Sequence, residues 1–497
     1  MRKSGILMPV FSLPSRYGIG TFGYEAYRFV DFLKKAGQSY WQILPLNPTN
    51  FGDSPYQSFS SFAGNPYFID LQMLIDEGLL TKAEADSYDF GGEKGVEYDK
   101  LYAHRKDCLR HAFLRFEETP EYLDFCNRNA FWLDDYALFM TIKSAQNDRA
   151  FCEWDEPLKN RDTAAIAAFK SLCAKELDFY RFIQYKFMTQ WYALKKYANE
   201  RGISIIGDIP IYVACDSADV WADREQFLLR DDATPTLVAG CPPDAFSDDG
   251  QLWGNPLYDW VKMKSDGYAW WKRRLSHALS LYDVVRIDHF RGFESFYAIP
   301  FGDKTAKGGS WQKGPDIDLF CELKKEFGED IPIIAEDLGF MTDAVKNLLK
   351  NTGFPGMKVL QFAFDSREES DYLPHNYDKN CVVYTGTHDN DTILGWTKSA
   401  PADDVEYAKK YLAFKGDEGF NFAMLRAALS SVADTAILMM PDLLSMGSEG
   451  RINTPATLGD NWRWRIDGNY INDWLADIVY DLTELYCRLP NVKTKED

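Results

Sequence analysis

The chain reads as an α/β protein, a (β/α)8 TIM barrel with long, mainly helical insertions between its barrel strands. Three observations predict this. Short apolar runs alternate with helical patterns, the signature of parallel βα units. About eight such runs occur, the number that closes a barrel. Most of them stop at an acidic residue, and the C-terminal strand ends are where a barrel gathers its reactive groups.

The elements follow in order. Ile6–Met8 and Tyr40–Leu46 read as short buried strands. Between them lies Gly18-Ile19-Gly20-Thr21-Phe22-Gly23, a literal G-x-G-x-x-G. A dinucleotide site needs an acid roughly 20 residues further on to hold a ribose. The residues there, Ser39 to Leu46, contain none, so the glycines are turn punctuation. Residues 1–53 therefore form the first barrel strands. Asp53 to Ser58 is a loop, and residues 54–180 read as a helical insertion with charged faces. A helix near Phe182–Arg201 carries Tyr185, Phe187, Trp191, Leu194 and Tyr197 on one stripe, and Gly202 stops it.

Residues 181–213 return to the barrel, with a strand over Ile203–Ile211 that holds Asp208. Residues 214–280 form a second insertion. Within it, residues 240–256 are rich in Asp, Gly and Pro and read as irregular. A loop of that length in a compact domain is functional or disordered. Its Phe246 and Trp253 favour an ordered active-site lid. Residues 281–497 complete the barrel and end in a C-terminal helix. Strands are expected at Val284–Asp288, Ile331–Ala335, Lys358–Ala363, Val382–Thr387 and Ala436–Met440. Helices are expected at Asp318–Phe327, Thr342–Lys350 and Asp404–Leu412. Asn491 to Asp497 is a polar tail.

Composition narrows the partners. The net charge is -20, which disfavours nucleic acid and anionic membranes and favours a neutral or cationic ligand. Fourteen Trp and 28 Tyr exceed ordinary packing needs, and their rings offer platforms for sugars. The nine cysteines contain no C-x-x-C, which predicts free thiols, a reducing compartment and a cytoplasmic location. The first apolar run is too short for a signal peptide, and none approaches membrane length.

The stretch Asp283 to Phe290 carries the chemistry. Arg286 and Asp288 are two apart on a strand and share a face. A guanidinium there holds Asp288 ionised, as a carboxylate nucleophile requires, although a bracing ion pair would look the same. Asp208, Asp288, Glu336, Asp365 and Asp389 all fall at strand ends and converge on one mouth. Glycosidic chemistry needs an anionic carboxylate and a protonated one about 5 Å apart when configuration is retained. Asp288 suits the first role. Glu336, on the next strand and beside that charge, suits the second through a raised pKa. Asp389 is placed to grip sugar hydroxyls. The competing reading is a carboxylate-bound Mg²⁺ or Mn²⁺, with His388, Asp389 and Asp391 as further ligands. Arg286 opposes it by charge. His388 adjoins Asp389 at a strand end. His289 alternates to the other face and reads as structural, while His104, His111, His277 and His375 read as surface or packing residues.

Val285-Arg286-Ile287-Asp288, Ala335-Glu336-Asp337 and Thr387-His388-Asp389-Asn390 resemble the nucleophile, acid/base and third-aspartate regions of the α-amylase superfamily. Gly207 to Tyr212 matches the first region only at Asp208. It lacks the Asn-His of ordinary α-amylases and any implication of their calcium. Asp53-Ser54-Pro55-Tyr56-Gln57, Pro242-Pro243-Asp244, Gln251 to Pro256, Phe362 to Asp365 and Gly459 to Trp464 resemble the amylomaltase family, the 4-α-glucanotransferases of glycoside hydrolase family 77. The likeness runs from Phe11 to Trp464.

It implies transfer of an α-1,4-glucan segment by double displacement, with Asp288, Glu336 and Asp389 catalytic and no cofactor or metal. The implied partners are malto-oligosaccharides, amylose and starch-type glucans. Arg286, His388, Asp208, Asp365, Ser54, Tyr56, Gln251, Trp253 and Asn461 are implied sugar contacts. An acceptor held by Trp253 and Tyr56 would outcompete water. At Ala245 some relatives carry an aromatic residue. A hydrolase of the same superfamily, and a glucan-binding protein without catalysis, are the alternatives.

Overall fold

The computed structural model describes residues 2–243, 248–339 and 341–490. Eight parallel strands form the barrel: β1 (Lys3–Leu7), β2 (Tyr40–Gln42), β3 (Ser204–Ile209), β6 (Val284–Ile287), β9 (Ile333–Ala335), β10 (Gly356–Val359), β11 (Cys381–Tyr384) and β12 (Thr435–Met439). They pair in the order β10-β11-β12-β1-β2-β3-β6-β9. Between the two ends of that order, the Ala335 N–H at the close of β9 donates to Pro355 O just ahead of β10, at 3.0 Å. The (β/α)8 reading is borne out.

The observed strands stop earlier than their apolar runs. β2 ends at Gln42, β3 at Ile209, β10 at Val359 and β11 at Tyr384, where Leu46, Ile211, Ala363 and Thr387 were expected. An apolar pattern reports burial, whereas a strand requires backbone pairing. Ile43, Leu44, Leu46, Ile211 and Ala363 are buried beyond the paired segments. There the chain flares across the barrel mouth.

Helices Tyr98–Phe113, Pro120–Ala145 and Ala174–Glu200 lie between β2 and β3. The last runs unbroken through position 180, where the helical insertion was expected to end. Its Phe187, Trp191 and Leu194 are fully buried, as the stripe predicted, and Gly202 follows it with φ of 79°. Ala269–Leu281 leads into β6, Ile317–Phe327 into β9 and Asp343–Thr352 into β10. The link from β10 to β11 carries only the short 3-10 turns Leu360–Phe362 and Pro374–Asn376. Asp473–Leu485 closes the described chain. Among the described residues no helix is long and apolar enough to cross a membrane.

A second sheet was not anticipated. β4 (Leu237–Cys241), β5 (Gln251–Pro256), β7 (Ser295–Pro300) and β8 (Ser310–Lys313) pair antiparallel in the order β5-β4-β7-β8. The two ends of the stretch expected to be irregular, 240–241 and 251–256, are therefore paired strands, while residues 244–247 of the expected lid, Phe246 among them, lie outside the described residues. The Asp, Gly and Pro content disguised these strands. At Gly240 a β-carbon would lie 2.1 Å from Gln251 O, so only glycine permits this close pairing, and the register shifts at that point.

Interior contacts tie the barrel together. Trp41 donates its indole N–H to Met8 O at 2.8 Å, and Tyr384 donates to Gln42 at 2.9 Å. At Gly207 on β3 a β-carbon would sit 2.1 Å from the Tyr282 ring, which is itself buried. Gly207→Ala is therefore expected to lower unfolding stability by ~1–3 kcal/mol through overpacking. Guanidinium titration checks this; an unchanged midpoint contradicts it.

Candidate functional site

The parallel pairing of β3 with β6 sets Asp208 opposite Arg286. The guanidinium is 3% exposed and forks between two carboxylates. One nitrogen lies 2.6 Å from Asp208 Oδ2 and the other 2.9 Å from Asp288 Oδ1. Burial alone would lower the arginine pKa, but Asp208 and Asp288 more than reverse this and raise it well above its usual value. Asp208 has no exposed surface, and burial pushes its carboxyl up to about 6 despite the arginine. Asp208 thus underlies the cleft and reaches it through Arg286 and Tyr56, rather than touching it directly as expected of a sugar contact. Asp288, with 32% of its side chain exposed, faces the open side.

Glu336 follows β9, the neighbour of β6. Its Oε2 accepts the His289 N–H at 2.7 Å and its Oε1 the Leu338 N–H at 2.8 Å. Burial first, then the Asp288 charge, push its carboxyl up to about 8 against these two donors and Arg286. One carboxylate is held by a cation and its neighbour retains a proton near neutral pH. That is the pairing a nucleophile and a general acid require.

A cleft of about 500 Å³ opens over Asp288, lined by Ser54, Tyr56, Gln251, Trp253, His388 and Asp389 among others, while Glu336 lies behind its wall. Tyr56 donates its hydroxyl to Asp208 Oδ2 at 2.9 Å, and its ring stacks on His388 at 5.2 Å and 16°. Ser54 accepts the Tyr56 N–H at 3.2 Å and so shapes that loop. His388 Nε2 is 3.4 Å from Asp389 Oδ1. On β5, Gln251 and Trp253 share a face, and the indole donates to Gln251 Oε1 at 3.0 Å. Gln57 donates to Asn255 Oδ1 at 3.0 Å, fastening the 53–58 loop to the hairpin.

Two expected contacts are placed otherwise. Asp365 follows β10, but its carboxylate is taken by Arg367 at 2.6 and 2.8 Å, and this pair lowers its pKa to about 2. Asn461 is buried and spends its amide on Thr454 and Thr457, bracing the loop that carries Pro455 and Ala456 into the cleft. In the alternative metal reading Asp391 was a ligand. Its oxygens instead accept from Thr392 N and Ser448 Oγ, at 2.8 and 2.7 Å. Ala245 lies outside the described residues.

Other residues at the site escaped the sequence reading. β6 ends at Ile287, and His289 adopts a left-handed φ of 52°, so it does not alternate to the opposite face. Its ring meets Trp253 edge-on at 4.8 Å on the wall of an adjoining cavity. Burial lowers its pKa to about 4, which keeps it neutral. Asn453 donates to Asp389 Oδ1 at 2.6 Å. Trp462, also left-handed at φ 64°, packs on Tyr56 and His388, each at 5.8 Å. Trp462 stood inside the Gly459 to Trp464 motif; Asn453 carried no local signal. Lys304 reaches the cleft from beyond β7.

Comparison with known proteins agrees in family and in fold. The profile of the 4-alpha-glucanotransferases, glycoside hydrolase family 77, matches residues 8–470. A 4-alpha-glucanotransferase of Clostridium butyricum is 48% identical over 486 residues, covering 97% of this chain and 100% of that protein. One of Thermus thermophilus is 47% identical over 478 residues, covering 94% of this chain and 95% of its own. The amylomaltase of Streptococcus agalactiae, solved with acarbose, superposes with a TM-score of 0.96 at 42% identity, over 99% of this chain and 100% of that one.

Arg286→Ala would leave Asp208 buried and uncompensated, an expected loss of ~3–5 kcal/mol of stability. Asp288→Asn keeps the Arg286–Asp208 pair and is expected to cost at most about 1 kcal/mol. Urea unfolding of both variants checks this; equal losses would contradict the assignment of Asp208 as the buried counter-ion.

Proposed function

Because the chain belongs to the 4-alpha-glucanotransferase family, and so is an enzyme that transfers α-1,4-glucan segments, we propose how its residues carry out that transfer. The observation that carries the proposal is the unequal carboxylate pair, Asp288 on the Arg286 fork and Glu336 with its carboxyl pushed up to about 8.

Asp288 attacks the anomeric carbon of a bound α-1,4-glucan while Glu336 gives its proton to the departing oxygen. The bond to the leaving chain breaks and a β-glucosyl ester to Asp288 forms. Glu336, now ionised, takes the proton from the 4-OH of an acceptor glucan. That oxygen displaces Asp288 and restores an α-1,4 bond. Two inversions leave the configuration unchanged, and no redox partner or external cofactor is required. Asp389, fixed by Asn453 and facing His388, grips ring hydroxyls. Tyr56, Trp253 and Trp462 give the sugars flat faces.

The proposed donors and acceptors are malto-oligosaccharides, amylose and starch-type glucans. The proposed setting is the reducing cytoplasm, for which the support is the scattered spacing of the nine cysteines along the sequence.

Incubation with maltotriose tests the transfer. Glucose together with maltopentaose and longer chains is expected; glucose and maltose alone would make the enzyme a hydrolase. Glu336→Gln is expected to cut turnover by ~10² or more with glucan binding nearly intact. A binding loss as large as the turnover loss would count against the acid/base role. Since the general acid works only while protonated, wild-type kcat/KM is expected to fall on the alkaline side near about 8. In Glu336→Gln that alkaline limb should vanish.

A further inference from the structure

Asp442 is a buried carboxylate that the mechanism leaves unused. It sits in the short helix Met440–Leu443 after β12, is 1% exposed and does not line the catalytic cleft. Burial, with the like charge of Asp391, pushes its carboxyl up to about 7 against the hydrogen bonds it accepts. No cation pairs with it among the described residues. Such a group is costly to hide unless its oxygens are met.

What meets them is the loop that carries His388 and Asp389. Asp442 Oδ2 accepts the Thr385 hydroxyl at 2.9 Å, and Oδ1 accepts the Ile393 N–H at 2.7 Å. Thr385 is the first residue past β11, and Ile393 is the first of the helix Ile393–Ser399. Both are wholly buried. One carboxylate therefore holds the two ends of residues 386–392 at once. It is itself held, because Asn421 on the helix Phe420–Ser430 donates its amide to Asp442 O at 2.8 Å. Within the loop, Arg451 donates to Asp389 O and the Asn453 N–H to His388 O, both at 3.0 Å. The loop is thus pinned at its ends by Asp442 and at its middle by residues 451–453.

We propose that Asp442 is a positioning residue for Asp389, acting through Thr385 and Ile393 to fix where the loop presents that carboxylate to the sugar. The proposal rests on the catalytic role given to Asp389 above. Hydrogen bonds to ring hydroxyls that strengthen in the transition state depend on placement, and a shift of about 1 Å can cost ~10²-fold in rate. A carboxylate suits the task because both of its oxygens accept. An amide has one acceptor, so it would leave either the Thr385 hydroxyl or the Ile393 N–H without one.

The test is steady-state kinetics on maltotriose of full-length Asp442→Asn, Thr385→Val and Thr385→Ser, each alone and combined with Asp389→Asn. Asp442→Asn and Thr385→Val nearly preserve side-chain shape. Each is expected to lower kcat ~10-fold with KM unchanged, as when an interaction made only in the transition state is lost. Thr385→Ser keeps the hydroxyl and should retain the wild-type kcat. In the Asp389→Asn background the same two substitutions should cost at most about 2-fold more, because the group they position is already altered. An unchanged kcat in either variant, a Ser variant as impaired as the Val variant, or losses undiminished in the Asp389→Asn background would each overturn the proposal. Full turnover by Asp389→Asn alone would instead remove the reading beneath it.

Discussion

The Arg286 fork is the constraint on which the rest of the site depends. A guanidinium almost wholly out of water costs several kcal/mol unless its donors are met by charge. Asp208 on β3 and Asp288 beyond β6 meet them at 2.6 and 2.9 Å. The two carboxylates are not equivalent. Asp208 is sealed in the barrel, so its charge is committed to orienting the guanidinium. Asp288 is partly open and shares the same cation while facing the cleft. The fork also reaches the wall of the cleft, because Asp208 accepts the Tyr56 hydroxyl and so fixes the ring that stacks on His388.

Glu336 is tuned by opposing effects. Two backbone N–H groups favour its ionised form, and so does Arg286, yet burial and the Asp288 charge prevail and carry it to about 8. The balance depends on Asp288 being charged. In the proposed mechanism, formation of the ester removes that charge. Glu336 then loses a reason to hold its proton at the step where it must act as a base. The Arg286–Asp208 pair stays in place throughout, so the change in Glu336 is driven by the reaction and needs no movement of the protein.

The sequence exposed most of this because barrel strands are short, apolar and capped by acids. Arg286 and Asp288 were legible from two-residue alternation, and Glu336 and Asp389 from their strand ends. Asp208 was legible as a strand-end acid, but its complete burial was not, because burial depends on which strand pairs with which. His289 was misjudged since alternation holds only while the strand lasts, and β6 stops at Ile287. Asp365 was placed by its strand end and a motif and Asn461 by motif alone, and neither signal reveals that Arg367 or a Thr454–Thr457 loop takes the side chain. The antiparallel sheet was hidden by glycine and proline, which mark turns locally but at Gly240 serve close pairing of strands.

Transfer in place of hydrolysis asks something specific of the cleft walls. Water is always present, so an acceptor sugar competes only if it is held in position before the ester is attacked. A wall that must first be ordered would spend binding energy on itself. Trp253 is braced by its own neighbours. Its indole N–H is held by Gln251, its face by the His289 edge, and its backbone carbonyl by Gln57 at 3.4 Å. The strand that carries it is paired into a four-stranded sheet, not suspended on a free loop. In the proposed mechanism, the binding energy of an acceptor at Trp253 therefore goes into placing its 4-OH, which water has no comparable means to match.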